Sequence, residues 1–358
     1  MKKLDIYIIK KFLGTFFFAI MMIIVIVIVF DISEKLDDFI RRSAPLKEII
    51  FTYYFNFIPY FINLFSPLFT FIAVVFFTSR MAYRSEITAI LTSGINFKRF
   101  LVPYFISALF LAILSFVLAN FIIPPANAKR VAFEKEYIRS KSGEIQQDFH
   151  IQIEPGTFAF IKSFNLNNNT GYIFTLEKIE DIKLVWKLTS DYIVYDTVTD
   201  KWQIYNYFIR KIDGLNETIK KGQRMDTTLN IKPEDFSSKV KNVDMMGYTE
   251  LRKFIANEYL KGSENVQYYE VEKHKRIAFP FATIVLTLIG VSLSSRKVRG
   301  GIGVHLGAGI TISFAFILFM QISSTFATNG NMPAYIAVWI PNIIFTILGI
   351  YLLYKAPK

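Results

Sequence analysis

Apolar residues in this chain fall into long runs free of charge, at residues 12–30, 51–78, 100–123, 277–294, 301–322 and 334–354. Each run is long enough to cross about 30 Å of hydrocarbon as a helix, so six transmembrane helices are predicted. Polar residues separate the runs unequally. Four separators are short, whereas the third and fourth runs stand about 150 residues apart, from Pro124 to Arg276.

Within that insert the pattern changes to short runs of β-branched and aromatic residues: "TFAFIKSF", "GYIFTLEKI", "IKLVWKLTSDYIVYD" and "KWQIYNYFIRK". Turn signals such as "NLNNNTG" and "DTVTD" divide them, which predicts strands of a β-sandwich or jelly-roll fragment. After Pro233, "MGYTELRKFIANEYLKG" and "SENVQYYEVEKHKR" return to helical spacing and lead into the fourth run. The predicted organisation is therefore helices 1–3 in residues 1–123, a β domain with a helical return segment in 124–276, and helices 4–6 in 277–358.

Composition agrees with lipid. Of 358 residues 53% are hydrophobic and 16% aromatic, including 37 Phe and 19 Tyr, more than the core of a soluble domain uses. The first run follows a basic flank, as a signal peptide does, but it is too long for an h-region and "DISEKLDDF" after it has no small-residue cleavage site. A retained helix is expected.

Charge sets the orientation. The N-terminal segment, residues 79–99, residues 295–300 and the tail after 354 carry Lys2, Lys3, Lys10, Lys11, Arg80, Arg84, Lys98, Arg99, Arg296, Lys297, Arg299, Lys355 and Lys358 against Asp5 and Glu86, nearly all of the formal +12. By the positive-inside rule these segments are cytoplasmic and the large insert lies on the opposite side. The basic pI thus reflects topology, and no nucleic-acid module is present to claim it.

Catalytic constellations are missing. His150, His274 and His305 stand far apart without Cys partners or an HExxH spacing, so no metal site is expected. "GTFAFIKS", Gly156 to Ser163, has Ile161 where a phosphate loop needs its second glycine. No catalytic residue and no cofactor are assigned, and any ATP hydrolysis must belong to another chain. The chain has no cysteine, so no disulfide holds the insert.

One polar stretch between apolar runs carries information of its own: "YRSEITAILTSGINFKRF", Tyr83 to Phe100. Ser85 can cap a helix there, Glu86 suits its positive end, apolar positions follow at Ile87, Ile90, Leu91 and Ile95, and Gly94 supplies a stop. A short amphipathic helix at 84–95 is predicted. It is either a connector resting on headgroups or a helix that docks in a groove of a cytoplasmic partner.

In chain order, "FFTSRMAYRSEITAILTSGINFKRF", "IKPEDF", "YTELRKFI", "YYEVEKHKRIAFPF" and "LIGVSLSSRKVRGGIGVHLGAGI", among six spans with one large insert after the third, resemble the LptF/LptG permeases of the lipopolysaccharide-export ABC transporter. The resemblance covers nearly the whole chain. It implies six transmembrane helices in a 3+3 layout with an inserted periplasmic β-jellyroll domain, in the bacterial inner membrane. It also implies an LptB-type ATPase dimer, a homologous LptF/LptG partner, LptC and LptA-type periplasmic jellyroll proteins, and lipopolysaccharide as cargo. The family's ATPase-coupling helix falls on Arg84, Ser85, Glu86, Ile87, Ile90, Leu91 and Gly94, with its acidic residue at Glu86. Family members carry a lysine at the outer end of the first helix, whereas this first run is uncharged through Phe30 and Lys35 is its first outer base.

With that cargo, two basic clusters become candidate lipopolysaccharide contacts: Lys35, Arg41 and Arg42 after the first run, and Lys273, Lys275 and Arg276 before the fourth. Each can instead anchor its helix by snorkelling. Gly303 and Gly307, four apart, offer a small-residue face for helix packing or a gate. Pro59 and Pro67 should bend the second helix, and Asn56 and Asn63 read as interhelical hydrogen bonds or an interfacial segment. His305 reads as an interface residue. The alternative function is a membrane-anchored mechanotransmission or sensor protein coupled to an ATPase without lipid passage. A lipid-modifying enzyme is disfavoured, because the apolar runs hold no carboxylates.

Overall fold

A computed structural model describes residues 3–138, 145–165, 168–180, 183–214, 216–233, 243–263, 265–296, 301–330 and 332–356. Lys2, Lys297, Arg299 and Lys358 of the basic segments, and the last three residues of "IKPEDF", lie outside them. The chain divides into two compact units: residues 1–139, 244–249 and 267–358 form one, and residues 140–243 and 250–266 the other.

The first unit contains six helices long and apolar enough to span a membrane: α1 (Lys3–Arg41), α2 (Leu46–Tyr83), α4 (Phe97–Tyr137), α6 (Val266–Ser294), α7 (Gly301–Thr328) and α8 (Ala334–Tyr354). A short α3 (Glu86–Thr92) joins α2 to α4, and α5 (Tyr248–Leu260) precedes α6. Within this unit α3, the start of α1 and the end of α8 share one face of the bundle, the terminal face; the opposite face, where α4 ends and α6 begins, is called the insert face.

The helices outrun their apolar stretches. Residues 31–41, in the polar separator after the first apolar run, continue α1 to Arg41, because Glu, Lys, Leu and Asp are compatible with helix once the chain leaves hydrocarbon. Closure comes only at Ser43, which takes φ +50° while the Ala44 and Ser43 amides donate back to the Phe39 and Ile40 carbonyls, and Pro45 follows. Lys35 therefore lies on the first helix itself. Asp5, Asp31 and Glu272 likewise sit on the helical extensions of α1 and α6, outside the apolar runs, which themselves hold no carboxylate. Pro59 and Pro67 fall inside α2 without ending it. Both α2 and α4 include a π-helical stretch near the insert face, at Ile49–Tyr54 and Leu118–Ile122.

Packing follows a division of labour. On α1 a single stripe, Ile8, Phe12, Phe16 and Ile20, is buried at four-residue spacing against Val74, Phe77 and Met81 of α2 and Phe100, Tyr104 and Leu111 of α4. A second core joins Phe71 and Val75 of α2 to Ala282 and Ile289 of α6, Phe316 and Met320 of α7 and Val338 and Phe345 of α8. Of the most apolar window of α6, 72% is buried, against 22% for α1 and for α7, so α6 is the axis of the bundle and the other two are flanks.

Small residues mark the close approaches, though not the expected pair. A Cβ on Gly290 would stand 2.9 Å from Val74, one on Gly309 3.1 Å from Phe71, and one on Gly349 3.1 Å from Leu288. Gly303 and Gly307 meet nothing within 4 Å among the described residues and are exposed on the outside of α7, so packing against those residues does not use them. Asn63 accepts from Ser115 across helices at 2.6 Å, whereas Asn56 donates within its own helix to Thr52 at 2.8 Å. His305 is buried, with its Nε2 2.9 Å from the Arg296 carbonyl, as an interface residue would be.

The second unit is built on a six-stranded antiparallel sheet: β1 (Ile145–Glu154), β2 (Thr157–Asn165), β3 (Thr170–Glu180), β4 (Lys183–Asp196), β5 (Lys201–Asp213) and β6 (Asn216–Thr227). Among the described residues the strands pair in sequential order, with no Greek-key crossing. Pro155-Gly156 turns β1 into β2, and only glycine suits the second position, where φ is +76° and a Cβ would meet the Ile179 carbonyl at 2.7 Å. One apolar core gathers Ile161, Phe164, Phe174, Ile193, Trp202 and Ile204, with the Trp202 indole donating to the Ile231 carbonyl at 2.9 Å. The last strand, β6, is polar and mostly exposed.

A pair of substitutions tests the close approaches. Gly290→Val should overpack α2 against α6 and lower the stability of the detergent-solubilised chain by ~1–3 kcal/mol, whereas Gly303→Val should leave its thermal midpoint unchanged. Equal midpoints for the two variants would contradict the packing described.

Candidate functional site

At the terminal face, α3 is seven residues long, inside the predicted 84–95. Its start differs from expectation. Ser85 occupies the N-cap position with φ +60° and makes no side-chain cap, because a left-handed residue aims its hydroxyl away from the first amides. The helix is held from below instead: Ile87 is 2% exposed, and Ile90 and Leu91 pack beside it on the core shared by α1, α2 and α4. Glu86 accepts a hydrogen bond from the Tyr7 hydroxyl at 3.3 Å. Gly94, at φ +87°, ends the segment, and the Asn96 side chain caps α4 by accepting from the Lys98 amide at 2.8 Å. Arg99 then donates two bonds, of 2.9 and 2.7 Å, to the carboxylate of Asp5 on α1. The short helix is thus mounted rigidly, with Tyr83, Arg84, Ser85, Thr88, Ala89 and Thr92 facing outward.

At the insert face, the end of α1 meets the π-helical start of α2. Phe39, Tyr53, Tyr54, Phe57 and Phe133 form an aromatic cluster, and beside it Lys35 pairs with Asp31 at 2.5 Å and hydrogen-bonds the Tyr53 hydroxyl. Tyr54 donates to the other Asp31 oxygen at 3.1 Å, and the Lys35 ammonium lies 4.9 Å from the Tyr53 ring centre. Lys35 is therefore neutralised in place. Arg42 donates to the Glu136 carbonyl at 3.1 Å. Arg41, at the helix tip, is exposed and has no ion pair among the described residues.

The α6 cluster is turned inward. Lys273 pairs with Glu270 at 2.5 Å, and Arg276, only 6% exposed, donates to the Met246 carbonyl at 2.7 Å. Buried in this way, Arg276 anchors the 243–247 segment instead of reaching out as a headgroup arm. Asn127 of α4 donates to the Asp244 carbonyl at 3.3 Å, so two side chains hold the same short segment against the bundle.

Those residues border a cavity of about 370 Å³ between α2, α4, α6 and α7. Its polar end presents Tyr60, Asn127, Asp244, Glu272, Lys275 and Arg276, and its walls are apolar, with Leu68, Ile123, Phe279, Phe316 and Met320 among them. Burial pushes the Asp244 carboxyl above the usual carboxylate range, against the opposing pull of Arg276, Arg130 and Lys275. Sequence reading missed Asp244, Glu272, Tyr60 and Asn127. One signal was available: Glu272 stands three and four residues before Lys275 and Arg276, so the three share a helix face running into an apolar span.

The family described as "Lipopolysaccharide export system permease LptF/LptG" matches residues 6–355. No curated protein matches the chain significantly.

The double hold on residues 243–247 can be tested by loss of one member. Arg276→Met should weaken it by ~1–3 kcal/mol, so amide hydrogen exchange in a peptide covering 243–247 should accelerate roughly ten- to hundredfold. Exchange at the wild-type rate would mean that Arg276 does not hold the segment.

Proposed function

The chain belongs to the LptF/LptG permease family, and from that premise we propose that it is one permease half of an ABC transporter that extracts lipopolysaccharide from the outer leaflet of the inner membrane. The observation that carries this is the match over residues 6–355, joined to six spanning helices with a β domain inserted between the third and fourth. The permease itself does no catalysis. An LptB-type ATPase dimer hydrolyses ATP at the terminal face, a homologous LptF/LptG subunit completes the membrane path, and the β domain hands the lipid to LptC and LptA-type partners.

Energy enters through α3. Arg84, Ser85 and Glu86 form its leading contact with the ATPase, while Ile87, Ile90 and Leu91 fasten it to α1, α2 and α4, so a push on the helix moves the bundle. The flanks are where a second subunit fits: α1 and α7 are the least buried spans, and the exposed Gly303 and Gly307 let another helix approach the α7 backbone closely. A gate between the flanks of the two subunits gives the lipid its sideways entry. Of the basic residues at the insert face, Arg41 and Arg42 suit lipid phosphates best, since a guanidinium grips phosphate bidentately, and Lys35 completes the cluster once Asp31 releases it.

Two experiments test this reading. With the insert periplasmic and α3 cytoplasmic, a single cysteine at Ser93 should resist an impermeant thiol reagent in intact cells while one at Asn168 reacts. Both residues are exposed and the native chain has no cysteine to interfere. Labelling at Ser93 from outside would reverse the orientation. Glu86→Lys should lower recovery of the ATPase with the purified permease and slow lipopolysaccharide release, with membrane insertion retained. ATPase recovery and transport at wild-type levels together would exclude docking through α3.

A further inference from the structure

The cavity at the insert face has features that helix packing does not require. Glu272 could pair with Lys275 or Arg276 on its own helix face, yet neither its carboxylate nor that of Asp244 makes an ion pair or hydrogen bond among the described residues. The Lys275 ammonium has no such partner either. Asn127 is 1% exposed, and its Oδ1 accepts no hydrogen bond among the described residues. Unpaired groups of this kind inside a bundle are expensive unless something meets them.

The lining also limits what that something is. Two carboxylates and two cations sum to no net charge, which disfavours a purely anionic guest, since Asp244 and Glu272 would repel it, and equally a bare cation beside Lys275 and Arg276. No metal-binding group of three or more His, Cys, Asp or Glu occurs among the described residues. Water can satisfy the polar end, but beyond it the lining is mostly apolar, Asn63 and Gln321 apart, and offers water few partners. The volume, about 370 Å³, is that of a small-molecule site. On the rim, Leu64 and Ile317 are 44% and 41% exposed, so the cavity opens sideways through apolar residues, as an acyl chain needs.

We propose that this cavity binds a zwitterionic phospholipid of the phosphoethanolamine class, with its ammonium at Asp244 and Glu272, its phosphate at Lys275 beside Arg276, and its chains leaving past Leu64 and Ile317. The lipid is resident, distinct from the transported glycolipid, and fills the space between α2, α4, α6 and α7 where residues 243–247 are held. Its presence does not depend on what the permease carries.

The test uses the full permease complex in nanodiscs of equal phosphatidylethanolamine and phosphatidylglycerol, with co-purified lipids quantified by native mass spectrometry. Wild type should retain phosphatidylethanolamine in preference. Glu272→Gln, close to isosteric, should cut that preference about tenfold, the size expected for one charge-assisted hydrogen bond, and Lys275→Gln should lower retention of both lipids. Asp244→Asn gives the same readout as Glu272→Gln if the latter fails to assemble. Equal retention of the two lipids by wild type, an unchanged preference in both acid variants, retention of lipopolysaccharide alone, or displacement by free phosphoethanolamine without any lipid bound would each overturn the proposal. Absence of lipopolysaccharide release by the wild-type complex, with its lipid preference intact, would count against the transport reading alone.

Discussion

Hydrocarbon offers the backbone no hydrogen-bonding partner, and the rest of the membrane unit follows from that constraint. Each crossing must be helical, so the sequence is free to choose side chains only for what lies on either side of the helix. On α1 that freedom reduces to one buried stripe, with lipid or another subunit facing the remainder. On α6 most positions of the apolar stretch are committed to neighbours. The deviations from regular helix occur where the constraint loosens: the π-helical stretches of α2 and α4 lie near the insert face, and the first of them presents Tyr53 and Tyr54 to Asp31.

Charges near the bundle ends obey the same logic. Asp5 is met by both arms of Arg99, and Asp31 by Lys35 and two tyrosines. Against that habit the unpaired acids of the α6 cavity stand out, because this chain demonstrably can neutralise carboxylates on its helices. The contrast makes the cavity more than a packing flaw.

Much of the fold was legible from pattern alone. Six apolar runs, the strands from Thr157 to Asp213 and the return helices all appear close to where the sequence puts them, because charge-free length and β-branched alternation are local properties. Helix ends were read too short, since hydropathy reports where hydrocarbon stops and not where helical hydrogen bonding stops. The outer strands β1 and β6 escaped because their polar residues, as in "NETIKKGQRMDT", look like loop until a neighbouring strand supplies their partners. Sites fared worse for a related reason. Ser85 carries a capping residue's chemistry but not its backbone angle, and Gly303 with Gly307 carries a packing motif on a face that its own bundle leaves open. Which side of a helix a residue occupies in the assembled bundle is a tertiary fact, and so is the meeting of Asp244 with Glu272.

The Asp5–Arg99 bond also bears on how the chain is made. Its partners are separated by 94 residues, with two crossings of the bilayer between them. During synthesis the carboxylate reaches the membrane surface long before its guanidinium leaves the ribosome, and the two can meet only if α1 and α2 have inserted as a hairpin with both ends on the same side. A first helix threaded the wrong way leaves Asp5 across the bilayer from Arg99. The pair therefore records that an even number of crossings separates its two partners, which holds the first hairpin closed at the terminal face.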